Sequence, residues 1–179
     1  MTSLYNSYDP YHYWVNIPRN NWDYGFTPYP YRSEFMINNT LTDHGPTPYV
    51  INLDEATKQN NNFRTALWTG NNLQVTLMSL SVGEDIGLEI HSDVDQFLRI
   101  EEGEGIVRMG TDRDNLDFER RVTDDFAIMI PAGTWHNVIN TGNEPLKLYS
   151  IYAPPQHPHG TIHQTKADEP ASNGNLRKY

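Results

Sequence analysis

Two stretches hold residues whose types and spacing could do chemistry. GLEIHSDVDQFLRIEEGEG (87–105) sets His91 among carboxylates and an amide, and PAGTWHNVIN (131–140) carries His136 between Gly133 and Asn140. A histidine on an extended segment, followed by carboxylates and an amide, reads like the start of a metal site. Alternate residues of an extended chain share a face, so Glu89 and His91 point one way and Leu88 and Ile90 the other. In the next segment Gln96, Leu98 and Ile100 share a face opposite Phe97, Arg99 and Glu101. If these faces turn inward, an interior receives His91, His136 and Gln96, with one or more of Glu89, Asp93 and Asp95.

The rest of the chain limits that chemistry. No cysteine is present, which excludes disulfides, thiolate ligands and a thiol nucleophile, so any metal is held by nitrogen and oxygen. The formal net charge of −10 opposes nucleic acid and anionic membrane surfaces. Arg99 faces away from the candidate interior and Lys147 is the nearest other basic residue on a strand, which argues against a phosphorylated sugar. No apolar run approaches the ~18 residues of a membrane span, and the N-terminus lacks a basic region followed by an apolar one. The expectation is a cytoplasmic protein without a signal peptide. At 179 residues the chain suits one domain.

The elements that must position these residues are short. PYVINL (48–53), NLQVTLMSLSV (72–82), GLEIH (87–91), QFLRIEEG (96–103), GIVRMG (105–110), FAIMIP (126–131), WHNVIN (135–140) and PLKLYSIYAP (145–154) all read as strands. Residues 54–71 hold one helical turn capped by Asp54, and 111–125 form a charged hairpin connection. Many short strands without a long helix predict an all-β sandwich or barrel over 49–155. Residues 1–48 are different, with half of the twelve prolines and two of the four tryptophans, and seven of the eleven tyrosines. They read as an extended aromatic N-terminal arm that packs on the barrel or on a partner, or else as an adhesive segment for a larger assembly. A polar tail, 156–179, closes the chain; its histidines read as solvated and its last dozen residues as mobile.

The two stretches together resemble the paired motifs of the cupin superfamily, roughly G-x5-H-x-H-x3,4-E-x6-G and G-x5-P-x-G-x2-H-x3-N, over about residues 70–155. His91 matches the first histidine, Gly103 the closing glycine and His136 the third histidine. Asp93 stands where the family has its second histidine, Gln96 where it has glutamate, and Asp125 where a glycine opens the second motif. The spacing from 93 to 96 is one residue short of the commonest form. The whole chain is similar to small bacterial cupins of the mannose-6-phosphate isomerase-like (cupin 2) type.

The resemblance implies a single-domain double-stranded β-helix (jelly-roll barrel), commonly a homodimer, with a divalent metal inside. It points to His91, Asp93, Gln96 and His136 as metal ligands, and Glu89 and Asp93 as proton-moving carboxylates. Two imidazoles with oxygen ligands favour Mn, Fe, Co, Ni or Zn over Cu(I). Each residue also has a structural use: Gln96 as a core amide, Asp93 as a turn cap, Glu89 as partner of an interior cation or water. Two functions follow. One is a metal-dependent isomerase or dioxygenase acting on a small polar, carbohydrate-like or carbonyl ligand. The other is a non-catalytic binding or structural cupin attached to an assembly through its aromatic arm.

Overall fold

The structure, a computed structural model, describes residues 41–169. The aromatic arm lies outside the described residues except for 41–48, as does the chain beyond 169. Among the described residues one α-helix, α1 (Leu53–Gln59), precedes nine strands: β1 (Arg64–Thr69), β2 (Gln74–Leu80), β3 (Asp95–Glu102), β4 (Glu104–Gly110), β5 (Phe118–Thr123), β6 (Ala127–Ile130), β7 (Trp135–Asn140), β8 (Leu146–Ala153) and β9 (Ile162–His163). They form a six-stranded sheet in the order β6-β3-β8-β2-β1-β9 and a three-stranded sheet in the order β5-β4-β7. Every pairing within them is antiparallel.

Register decides what the interior contains. Residues directly opposite across a ladder share a face. Leu80 lies opposite Leu146, Met78 opposite Leu148, Thr76 opposite Ser150, and Gln74 opposite Tyr152. On the other side of β8, Ile100 meets Leu148, Leu98 meets Ser150, and Gln96 meets Tyr152. The inward face of β2-β8-β3 is therefore apolar at one end and polar at the other. Leu80, Leu98, Ile100, Leu146 and Leu148 join Val107, Ile128, Ile130 and Val138 in one buried cluster. Burial of such side chains, at about 1.5–3 kcal/mol each, makes the apolar end the part that holds the two sheets together.

Several sequence expectations need correction. PYVINL is not a strand. Residues 48–52 pair with nothing in a sheet, and α1 begins at Leu53 because Asn52, not Asp54, caps it by accepting from the Glu55 N–H at 3.3 Å. Asp54 instead sits in the first turn and pairs with Lys58 at 2.6 Å. GLEIH makes one isolated bridge only, Glu89 with His136, and Asp85 just before it makes another with Ile139. Three strands lie outside the expected set: β1, whose Arg64 and threonines disguise a buried strand, β5, whose charged FERR residues are exposed, and the short β9. The tail histidines, read as solvated, divide: His159 is exposed, but His157 is half-buried and His163 lies in β9, which pairs with β1 ahead of the Lys166–Asp168 turn.

Two turns explain the motif residues. Gly103 has φ +90°, and a Cβ there would stand 2.9 Å from the Pro145 carbonyl oxygen, so both conformation and space require glycine. Asp125 occupies the position where the family motif has glycine, and it keeps the left-handed backbone with φ +69°. Aspartate is among the few residues that tolerate this region. Its N–H donates to Ile100 at 3.0 Å, which holds the turn between β5 and β6.

Candidate metal centre

The site starts from one backbone pairing. Glu89 and His136 exchange both main-chain hydrogen bonds, at 3.0 and 2.9 Å, and this aims their side chains to the same side. His91, two residues on, shares that side, and its carbonyl accepts from the Gly133 N–H at 2.7 Å. Asp95 completes the frame by accepting from the Ala132 N–H at 2.9 Å. Asn140 is structural: its amide donates to Leu80, Ser81 and Glu144 carbonyls and its oxygen accepts from Gly142.

Three ligand atoms converge. Glu89 Oε1 is 3.2 Å from His136 Nε2 and 3.4 Å from His91 Nε2, and all three groups lie within 4.8 Å of one another. Both imidazoles are buried, with ring centroids 5.4 Å apart and planes tilted by 57°. His136 Nδ1 lies 2.9 Å from the Thr134 carbonyl, which can only accept, so Nδ1 carries the proton. In the neutral ring Nε2 is then a lone pair facing a carboxylate oxygen, two acceptors in contact. A cation between them, or a second proton on the ring, resolves that conflict. His91 Nε2 is buried with no hydrogen-bond partner. Burial alone would raise the Glu89 carboxyl, but the His136 and His91 imidazoles and the Arg64 charge outweigh it and hold it well below the usual carboxylate range. The donors fit a divalent ion.

Of the residues anticipated as ligands, the structure brings His91 and His136 together with Glu89. Gln96 is buried beside Tyr152, its amide donates to Ser150 Oγ at 3.0 Å, and its Oε1 has no partner. Asp93 is exposed and stands outside the converging group. A second carboxylate group, Glu101, Asp124 and Asp125, lies outside the barrel, where Arg99 already pairs with Glu101 and Asp125.

Sequence reasoning missed the polar wall beside this centre. Arg64 is fully buried and donates from Nη1 to the Tyr152 hydroxyl at 2.7 Å. Tyr152 is also fully buried and meets the His91 ring edge-on at 5.8 Å. Burial raises its phenol against the lowering effect of Arg64. His157 packs edge-on against Tyr152 at 5.1 Å, and Gln74 fixes its backbone by accepting from its N–H and donating to its carbonyl. Burial, aided by Arg64, pushes the His157 imidazole well below its usual value, so it is neutral near pH 7. The period-two alternation of β8 was the available signal for Tyr152; none marked His157. Lys147 turns away from the interior to Asn60 and Asn61.

Comparison with known proteins agrees with this geometry. The cupin domain family model matches residues 76–152. The YrkC protein of Bacillus subtilis is 68% identical over 142 residues, which are 79% of this chain and 76% of that protein. The L612 protein of Acanthamoeba polyphaga mimivirus is 46% identical over 64% of this chain and 70% of its own length. The crystal structure of BH2720 from Bacillus halodurans superposes with a TM-score of 0.71 at 71% identity, covering 71% of this chain and 96% of that one. Among the described residues, no helix is long and apolar enough to cross a membrane. With both motifs on one double-sheet barrel and a close relative spanning most of its length, this chain belongs to the cupin superfamily.

Proposed function

We propose that this cupin binds a divalent transition metal (Mn, Fe, Co, Ni or Zn) through Glu89, His91 and His136, and beside it a small polar molecule. The unpartnered Gln96 amide oxygen on the neighbouring strand is left for that small molecule. Asp93 is left out of the set because it is exposed. One observation carries the reading: the Nε2 atoms of two buried imidazoles, one without any hydrogen bond, converge on a single carboxylate oxygen. The bound ion would supply Lewis acidity toward a carbonyl or hydroxyl of the ligand.

The residues of the chain define the remaining roles. Glu89, held well below the usual carboxylate range by the two imidazoles and Arg64, serves as counter-charge and ligand. Thr134 fixes the His136 tautomer through Nδ1. Tyr152 and the neutral His157 flank the ligand space and are the groups able to donate or accept a proton there. This arrangement supports metal-assisted isomerisation or oxygenation of a small polar compound. Elemental analysis of protein purified without a histidine tag tests it. Near-stoichiometric transition metal, lost in His91→Ala and in His136→Ala, is expected; metal-free protein from metal-replete medium overturns the proposal.

A further inference from the structure

Arg64 makes an unusual demand on the interior. A buried guanidinium cannot shed its proton and must keep an anionic partner. Its partner is not at hand on a neighbouring strand. Nε and Nη2 both donate to Glu169 Oε1, at 3.2 and 2.9 Å, across a sequence separation of 105 residues. The Arg64 side chain is 0% exposed and the Glu169 side chain 21%. The carboxylate therefore reaches the cation from the solvent side. With Nη1 on Tyr152, three of the five N–H donors are used among the described residues, which leaves two.

The surroundings of Arg64 also lack hydrogen-bond partners. Gln96 Oε1, Thr76 Oγ1, His91 Nε2 and His157 Nε2 are buried and unpartnered. The register places Gln96 opposite Tyr152 and Thr76 opposite Ser150, so these atoms belong to the polar end of the barrel. An amide oxygen only accepts, so Gln96 needs a donor such as a hydroxyl. No second cation from the barrel strands joins Arg64, since Lys147 turns to Asn60 and Asn61 and Arg99 pairs on the outer face. One guanidinium fork matches one carboxylate, and a dianionic phosphate would remain under-compensated beside Glu89.

We propose that the barrel takes a small monoanionic hydroxycarboxylate, gripped by Arg64 and Tyr152 in place of Glu169, with its hydroxyls toward Gln96. The Glu169 carboxylate is thus a built-in occupant of the ligand's anion position. The 154–169 segment that carries it closes the polar end, anchored by Gln74 and by β9 on β1. This deepens the metal-and-ligand reading by naming the ligand class, and it rests on that reading for the position of the site but not for the grip on the anion.

Calorimetric titration of lactate, glycerate and gluconate, with uncharged lactamide as control, tests the proposal on metal-loaded and chelator-stripped protein. Removal of the internal competitor in Glu169→Ala should tighten hydroxycarboxylate binding about tenfold, the worth of a charged hydrogen bond, and leave lactamide unchanged. Glu169→Gln, nearly isosteric, should show a smaller gain and guards against a folding artefact. Tyr152→Phe placed on Glu169→Ala should reverse most of the gain. Equal affinity in wild type and both Glu169 variants overturns the proposal, as does no saturable binding of any of the three acids to them. A gain that persists in metal-free protein while elemental analysis finds no metal would sink the metal centre alone. Metal binding without any gain would sink the anion grip alone.

Discussion

The metal centre makes a prediction that can be worked through as linkage. An ion that binds only the folded state stabilises it by RT ln(1 + [L]/Kd), about 2.7 kcal/mol when free metal is 100-fold above Kd. For a chain of this size each kcal/mol moves Tm by about 2–4 °C, so the wild-type shift should be about 5–11 °C. Three ligand atoms within 4.8 Å of one another mean that loss of one leaves a two-ligand site. Loss of an outer partner alone typically costs 10–100-fold in metal affinity, so loss of a ligand should cost about 100-fold or more. At the same metal concentration the ratio then falls to about 1, the stabilisation to about 0.4 kcal/mol and the shift to about 1–2 °C. Differential scanning calorimetry of wild type, His91→Ala and Glu89→Gln, each with and without metal, measures the shift within each variant. Any general destabilisation by the mutation cancels in that difference. A full shift in His91→Ala, or none in wild type, would refute the reasoning.

Two further outcomes follow from single residues. Asp125→Gly relieves a left-handed residue worth about 1 kcal/mol and forfeits an exposed pair with Arg99 worth less, so Tm should rise by about 1–2 °C, where a fall would show that the pair dominates. The half-buried His157 has a depressed folded value, so the unfolded chain binds the extra proton. Stability is then complete above the ordinary imidazole value near 6.5, and is lost as pH falls from there toward the lower folded value. Urea unfolding of His157→Gln should show a pH slope shallower than wild type below about pH 6.5, by at most ~1.4 kcal/mol per pH unit. Parallel curves would show that the folded ring takes up its proton as readily as the unfolded one, which refutes the depressed value.

Much of the barrel was legible because its information is local. The alternation of β3, β7 and β8 tells which residues face inward and turns Arg99 outward, and the same alternation read along residues 87–91 puts Glu89 and His91 on one side. The second motif placed His136 on a strand entered through the Pro131–Gly133 turn, as the structure has it. The aromatic arm, singled out by composition, remains a reading of sequence for residues 1–40, which lie outside the described region. The strand expected at PYVINL failed because an asparagine cap outranked β propensity, and β1 was hidden because its burial comes from its partners rather than from its own composition.

The family motif singles out Asp93 as the carboxylate ligand, while spacing along the chain nominates Glu89, Asp93 and Asp95 alike. It could not rank them, because the choice depends on which one lies opposite His136 across a bridge formed by residues 47 positions apart. Arg64, Tyr152, His157 and Glu169 pose the same problem over longer distances. Each side chain is ordinary in its own segment, and its environment exists only once β1, β8 and the returning tail close on one another. Periodicity assigns a side chain to a face; the company it keeps there is set by contacts distant in sequence, and no local pattern encodes those.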